Sequence, residues 1–136
     1  MRVAIRSPRS RNRDQIALEL SVDQRIDIVS ERHGNPEIVL IDAGLVHGNG
    51  RQPLRLADNM HAIVVFAPND PEELAYLLAA GARGYHRIGE PWGQLIDALH
   101  LVAAGGVRAE PQVMNQLLRY YRRLLHLANP GRINDS

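Results

Sequence analysis

Two short segments of this 136-residue chain, Ile38–Ile41 and Ala62–Phe66, are apolar at every position. A strand with one face in water alternates apolar and polar residues, so these unbroken runs predict strands that are buried on both faces, as in parallel sheets. Further strands are predicted at Val3–Arg6, around Ile26–Val29 and at residues 84–88. Helical segments separate most of them, and this alternation predicts an open parallel sheet with helices on both faces.

Helix boundary signals support this organisation. Asp70 is a predicted N-cap, Pro71 suits the first helical turn, and two glutamates follow at the positive end of the helix dipole. Gly81 is a predicted stop. The other predicted helices run over residues 11–20, over residues 54–59 as a short weak candidate, from Pro91 to the Gly105-Gly106 pair, and from Pro111 to Leu127.

The connection from Ser30 to Pro36 is too short for a full crossover helix. A crossover between parallel strands normally takes a dozen or more residues. An extended linker, at about 3.3 Å per residue, just returns along a short strand. We therefore expect this helix to be missing or very short, which leaves part of one sheet face thinly covered.

Composition excludes several classes of function. The chain has no cysteine, so disulfides, thiolate metal sites and cysteine nucleophiles are excluded. No apolar run approaches the roughly 20 residues of a membrane span, and the N-terminal segment is unlike a secretory signal, so we expect a cytoplasmic protein with no membrane partner. The six histidines lack ligand spacing, and no Ser-His-acid arrangement is present. We therefore expect no metal, no cofactor and no enzymatic activity.

The second half of the chain carries a recognisable pattern, "AIVVFAPNDPEELAYLLAAGARGYHRIGEPWGQLIDALHLVAAGGV". Its most specific parts are the Ala-Gly-Ala-x-Gly-Tyr turn at residues 80–85 and the Ala-Ala-Gly-Gly helix end at residues 103–106. Together with "IVLIDAGL" at residues 38–45, it resembles the receiver domain of LuxR-type response regulators, the NarL/FixJ group. The resemblance implies a flavodoxin/CheY-like fold with a five-stranded parallel sheet and an extra C-terminal helix. It also implies that Asp42 occupies the phosphoacceptor position.

The chain departs from the family at the positions that support phosphorylation. The paired acids that bind Mg²⁺ in the family correspond to Ser7 and Pro8, the switch hydroxyl to Ala67 or Phe66, and the lysine to Ile88. All sixteen basic residues are arginine, and the chain has neither lysine nor threonine, so no realignment restores the last two groups. The resemblance therefore implies an atypical receiver, or pseudo-receiver. We expect Asp42 to be vestigial, capping a turn or pairing with Arg6 or Arg9.

The predicted last helix has an apolar stripe and a basic polar face. The stripe consists of Met114, Leu117, Leu118, Tyr121, Leu124 and Leu125. A helix at this point should find little domain core left to cover, so we expect a dimer seam or a linker; the alternative is that it folds back onto an exposed face. We expect a receiver-like domain at 1–109, this helix at 110–128 and a tail at 129–136. In the family a helix-turn-helix DNA-binding domain follows, and it is absent from these residues, so the chain is either a fragment of a regulator or a lone receiver.

The resemblance and its departures predict a phosphorylation-independent regulatory domain. The leading hypothesis is a dimerising pseudo-receiver of a LuxR-type transcription regulator, related to two-component signalling, with DNA bound through a C-terminal domain. Two alternatives stay open: a sensor of a small molecule or anion, and a stand-alone protein-interaction module. The sensor would use the arginine-rich loop after the first strand, because guanidinium groups suit phosphate and carboxylate. Its candidate residues are Arg6, Arg9, Arg11 and Arg13.

Overall fold

The structure, a computed structural model, describes residues 1–8, 10–42 and 61–128. The strands in these residues are β1 (Arg2–Arg6), β2 (Asp27–Ile28), β3 (Ile38–Asp42), β4 (Ala62–Ala67) and β5 (Gly84–Arg87). The helices are α1 (Ser10–Leu20), α2 (Pro71–Ala79), α3 (Trp92–Ala103) and α4 (Pro111–Ala128). The weak helix predicted at residues 54–59, the tail predicted at 129–136 and Arg9 all lie outside the described residues.

The strands form one parallel sheet in the order β2-β1-β3-β4-β5. This confirms the predicted five-stranded CheY-like fold. The chain runs from β1 outward to β2 and then returns to β3 on the other side of β1. The carboxyl ends of β1 and β3 therefore flank the point where the strand order reverses, which is where open α/β sheets place their ligands. Asp42 is the last residue of β3 and lies at this point.

Helices cover both faces of the sheet, as predicted. One core lies between the sheet and α1 with α3, and it includes Ile16, Leu20, Leu95, Leu99 and Val102 from those helices. The other core lies between the sheet and α2 with α4, and it includes Leu74, Leu77 and Val113 from those helices. β3 and β4 are buried in the middle because their successive side chains enter the two cores alternately, which explains their continuous apolar character.

The connection from β2 to β3 forms a turn and contains no helix between residues 29 and 37, all of which the structure describes. The Gly34 N–H donates to the Ser30 carbonyl over 2.8 Å. A Cβ on Gly34 would lie 2.4 Å from the Cβ of Val29, so only glycine fits this turn. The expectation of a missing crossover helix is confirmed. The second strand is shorter than predicted: β2 has two residues, and the buried Ile26 precedes it.

The helix boundaries agree with the predicted signals. The Asp70 carboxylate accepts a hydrogen bond from the Glu72 N–H over 3.1 Å, as expected of an N-cap. Gly81 has a φ of 118°, which suits a glycine stop after α2. Among the described helices, none combines the length and the apolar character needed to cross a bilayer.

The first turns of α4 belong to the core. Val113 is fully buried, and Leu117 is partly buried against the same cluster. Tyr120 meets Tyr76 of α2 edge-on, with ring centroids 6.5 Å apart. The expectation that this helix has little core to cover is therefore wrong for its first turns, because α4 packs alongside α2.

Candidate functional site at the carboxyl edge of the sheet

Three neighbouring residues line the edge of the sheet at its carboxyl end. Asp42 pairs in register with Phe66, and Phe66 pairs in register with His86. Residues in register across parallel strands project from the same face, so the three side chains form one row, which we call the edge row. β1 ends at Arg6, the partner of Ile41, and Ser7 follows beside Asp42.

Two neutral side chains of the described residues donate hydrogen bonds to Asp42. Its Oδ2 accepts a bond from the Ser7 hydroxyl over 3.1 Å and a longer one from the Asn12 side-chain amide over 3.5 Å. Ser7, which the resemblance aligns with one of the family's metal-binding acids, thus donates to the carboxylate. Asn12, from the first turn of α1, was not predicted, because one polar residue in a helix start carries no distinctive signal. Pro8, at the second of these positions, is exposed.

Phe66 fills the space next to Asp42 with an aromatic ring. Its ring stacks on His86 with centroids 5.3 Å apart, and on Trp92 with centroids 5.8 Å apart. His86 and Trp92 also stack, at 5.5 Å. We call these three residues the aromatic stack. Ala67, the other candidate for the switch position, is fully buried in the core on the opposite face, so Phe66 is the residue beside Asp42.

His86 is buried in the aromatic stack with 1% of its surface exposed. Burial lowers the pKa of His86 below its ordinary value of 6.5, even though the Glu90 carboxylate 3.7 Å from Nδ1 acts in the opposite direction. The imidazole is therefore neutral at pH 7. A neutral ring packs against Phe66 and Trp92 without bringing positive charge to the edge row.

Ile88, which the resemblance aligns with the family's lysine, follows β5 directly and is 55% exposed. Its backbone N–H donates to the Ala67 carbonyl over 2.8 Å, which continues the pairing of β5 with β4. An aliphatic side chain at this place offers neither charge nor a hydrogen-bond donor.

Three of the four arginines of the predicted anion site, Arg6, Arg11 and Arg13, lie in the described residues. Arg6 forms a two-point ion pair with Glu31, in which Arg6 Nε lies 3.2 Å from Glu31 Oε2 and Arg6 Nη2 contacts Oε1. Arg11 and Arg13 are exposed on α1. In the described part of the chain, no group of three or more His, Asp or Glu residues comes together in a way that could hold a metal ion.

A network of four charged residues joins β5 to the start of α4, and sequence reasoning missed it. We call it the charge cluster: Arg87, Glu90, Arg108 and Glu110. Arg87 Nη1 donates to Glu110 Oε1 over 2.7 Å, and Arg108 Nη2 donates to Glu90 and Glu110 over 2.8 Å each. Their side chains are 11%, 14%, 13% and 41% exposed, in that order.

Tyr85 forms the floor of the charge cluster. Both guanidinium groups of the cluster lie over its ring, at 5.2 Å for Arg87 and 4.7 Å for Arg108. Its hydroxyl accepts the Glu110 N–H over 3.0 Å, one residue before α4 begins. Ion pairs, cation–π contacts and a backbone hydrogen bond therefore hold the start of α4 against the edge strand β5.

The charge cluster strongly stabilises the ionised form of its carboxylates. Hydrogen bonds from Arg87 lower the pKa of Glu110 from 4.5 to about 2, with Arg108 adding to the effect and burial opposing it. Burial would raise the pKa of Glu90, but hydrogen bonds from Arg108 and from the Arg87 backbone outweigh it and lower that pKa. Both carboxylates are ionised at pH 7, so each arginine has a charged partner.

The predicted apolar stripe of α4 divides between two environments. Leu117 packs on the core, whereas the other predicted members are 41–59% exposed. Those exposed members are Met114, Leu118, Tyr121, Leu124 and Leu125.

Comparisons with known proteins agree with this architecture. No protein-family model matches the chain. The chain is 29% identical over 96 residues to the transcriptional regulatory protein DegU of Brevibacillus brevis, an alignment that covers 68% of this chain and 41% of that protein. The chain thus spans about two fifths of the length of this curated relative.

Solved structures show the same fold. The RcsB response regulator of Salmonella typhimurium superimposes with a TM-score of 0.64 at 14% identity, covering 96% of this chain and 78% of that one. The chain has the receiver fold of response regulators. A LuxR-family two-component response regulator from an Aurantimonas species also shares this receiver fold, with a TM-score of 0.59 at 16% identity, covering 88% of this chain and 96% of that one.

Proposed function

We propose that this chain is a receiver-like regulatory and dimerisation domain that acts without aspartyl phosphorylation, as part of a LuxR-type DNA-binding transcription regulator. The observation that carries the proposal is the placement of Phe66. It is the register partner of Asp42, and its ring is fixed in the aromatic stack where the family has a hydroxyl.

The chemistry of phosphoryl transfer supports this reading of the edge row. Catalysis of that transfer depends on positioning and on neutralising the charge of the phosphoryl oxygens. Phe66 and Ile88 offer these oxygens no donor and no charge. Ser7 is neutral, and it already donates to the carboxylate oxygen of Asp42 that also accepts from Asn12. A phosphoryl group on Asp42 would therefore displace these hydrogen bonds, and Phe66 and Ile88 would offer it no compensating contact.

The regulatory part of the proposal rests on the receiver fold and on the names of similar proteins. The relative from Brevibacillus is a transcriptional regulatory protein more than twice as long as the matched region. DNA binding by this protein would then require a C-terminal domain that is not among these residues. Paired half-sites on DNA mirror the two-fold symmetry of a protein dimer, which is why dimerisation belongs to the same proposal.

The test uses beryllofluoride, a tetrahedral mimic of a phosphoryl group on a carboxylate. Thermal unfolding of the chain with Mg²⁺ is compared with and without beryllofluoride, because a ligand of the folded state must raise the melting temperature. We expect no change in the wild type or in Asp42→Asn. A rise in the wild type that is lost in Asp42→Asn would contradict the proposal.

The anion-sensor alternative has one supporting observation, the exposure of Arg11 and Arg13 on α1. Inorganic phosphate and sulfate are the probes in the same thermal assay. Stabilisation that disappears in an Arg11→Gln/Arg13→Gln variant would favour the sensor over the pseudo-receiver. If neither anion raises the melting temperature of the wild type or of the variant, the anion-sensor alternative is rejected.

A further inference from the structure

Four exposed side chains form a straight apolar line along α4. Met114, Leu118, Tyr121 and Leu125 follow a spacing of four, three and four residues, and we call this line the free seam. Each of them is 41–59% exposed. The face that packs on the core, marked by Val113, Leu117 and Tyr120, lies roughly 100° away around the helix. The contacts of α4 with α2 therefore leave the free seam uncovered.

The charges of α4 lie away from the free seam. The helix contains no acidic residue, and its arginines are Arg119, Arg122 and Arg123. At about 100° per residue, they lie roughly 70–170° around the helix from the seam, on the side opposite the core-facing residues. An acidic partner, such as nucleic acid or a carboxylate-rich surface, would engage these arginines and leave the seam bare. The partner of the seam itself must therefore be apolar.

We propose that the free seam packs against the free seam of a second copy of this chain, an inference that rests on the dimerisation included in the proposed function. A spacing of four and three residues is the repeat by which two helices supercoil with interlocking side chains. In that register Arg119 and Arg123 point to solvent at outer positions. In a parallel pair of helices, Arg122 flanks the seam and faces the apolar Leu117 position of the other helix. Two copies of α4 can therefore approach without placing arginines opposite each other.

The size of the free seam sets the strength of this dimer. Large side chains offer about 150–200 Å² each when fully accessible. Four that are about half exposed bury roughly 350 Å² per copy, or roughly 700 Å² in total, which is below the 1,200 Å² typical of stable complexes. The dimer formed by this seam is therefore reversible and depends on protein concentration.

Sedimentation equilibrium of the full chain over a concentration series tests the seam. We expect a monomer–dimer equilibrium in the wild type and a shift to monomer of at least tenfold in dissociation constant for Leu118→Gln/Leu125→Gln. The matched control is Arg119→Gln/Arg123→Gln, which places glutamine at the adjacent positions and should keep the wild-type equilibrium. Circular dichroism verifies equal helix content in all three proteins.

Cross-linking tests the free seam independently, with variants that each change only one residue. The chain has no cysteine of its own, so Leu118→Cys and Arg119→Cys each introduce one thiol. A short bis-maleimide should join Leu118→Cys into a covalent dimer, and Arg119→Cys much less. Equal yields in the two variants would overturn the seam.

These experiments distinguish a failure of the free seam from a failure of the proposed dimerisation. A wild-type dimer that persists in Leu118→Gln/Leu125→Gln would overturn the seam and leave the proposed dimerisation standing. A wild type that stays monomeric at every concentration would overturn both.

Discussion

Replacing Glu110 by glutamine removes one carboxylate from the charge cluster and keeps the size of the side chain. The amide nitrogen of glutamine cannot accept from a guanidinium, so of the three bonds that Arg87 and Arg108 donate to Glu110, those to one carboxylate oxygen are lost. Glutamine accepts a hydrogen bond but carries no charge, so two guanidinium groups share the single carboxylate of Glu90. We expect the variant to fold and to be less stable at neutral pH.

The magnitude follows from the pKa of Glu110. A pKa lowered from 4.5 to about 2 corresponds to at most roughly 3–4 kcal/mol, at about 1.4 kcal/mol per pKa unit. The side chain of Glu110 is 41% exposed, and solvent screens such a pair, so we expect a loss of about 1–2 kcal/mol. A carboxylate with a lowered folded-state pKa contributes fully above its unfolded value, and the contribution disappears as the pH falls from about 4.5 to about 2.

Urea unfolding followed by circular dichroism measures the free energy of unfolding of the wild type and of Glu110→Gln at pH 7 and at several values down to pH 2.5. The wild type should be more stable than Glu110→Gln at pH 7, and the difference should narrow steadily below pH 4.5. The matched control is Asp14→Asn, which removes an exposed carboxylate on α1 outside the cluster. A difference for Glu110→Gln that is absent at pH 7, or that is unchanged at pH 2.5, would refute the reasoning.

Two further substitutions test the turn before β3 and the aromatic stack. Gly34→Ala places a Cβ 2.4 Å from the Cβ of Val29, so we expect chemical denaturation to show a free energy of unfolding lower by about 1–3 kcal/mol. The control is Gly93→Ala, because nothing lies within 4 Å of a Cβ at that position. Its free energy of unfolding should be unchanged or higher by up to about 1 kcal/mol. A tolerated Gly34→Ala would show that the turn has room. Phe66→Ala removes a ring that covers Trp92, the single tryptophan of the chain. The fluorescence emission of Trp92 should therefore move to longer wavelength. The free energy of unfolding should fall by about 2–3 kcal/mol, which is less than for a fully buried ring. Unchanged emission would mean that the aromatic stack does not form.

The sheet and the position of Asp42 at its carboxyl edge were predictable because both depend on local sequence patterns. Continuous apolar runs identify β3 and β4, and the parallel order then places Asp42 at the carboxyl edge. The resemblance left the switch position between Phe66 and Ala67, since one residue of register moves a side chain to the other face. The strand pairing places Phe66 beside Asp42.

The charge cluster was not predictable, because its contacts join residues far apart in the chain. Arg87 meets Glu110 across 23 residues, and Arg108 meets Glu90 across 18. No helical or strand periodicity relates such positions. The division of the α4 stripe was hidden for a similar reason: an apolar stripe predicts that something covers it, but only the position of α2 decides that Leu117 is covered and Leu118 is not.

The most direct test of the central claim is the intact mass of the chain after incubation with Mg²⁺ and acetyl phosphate. Asp42→Asn is the control, and a phosphorylatable response regulator treated in parallel verifies the phosphodonor. We predict no phosphoryl increment on the folded wild type. An increment that appears in the wild type and is absent from Asp42→Asn would contradict the account, because Asp42 would then be a working phosphoacceptor beside Phe66.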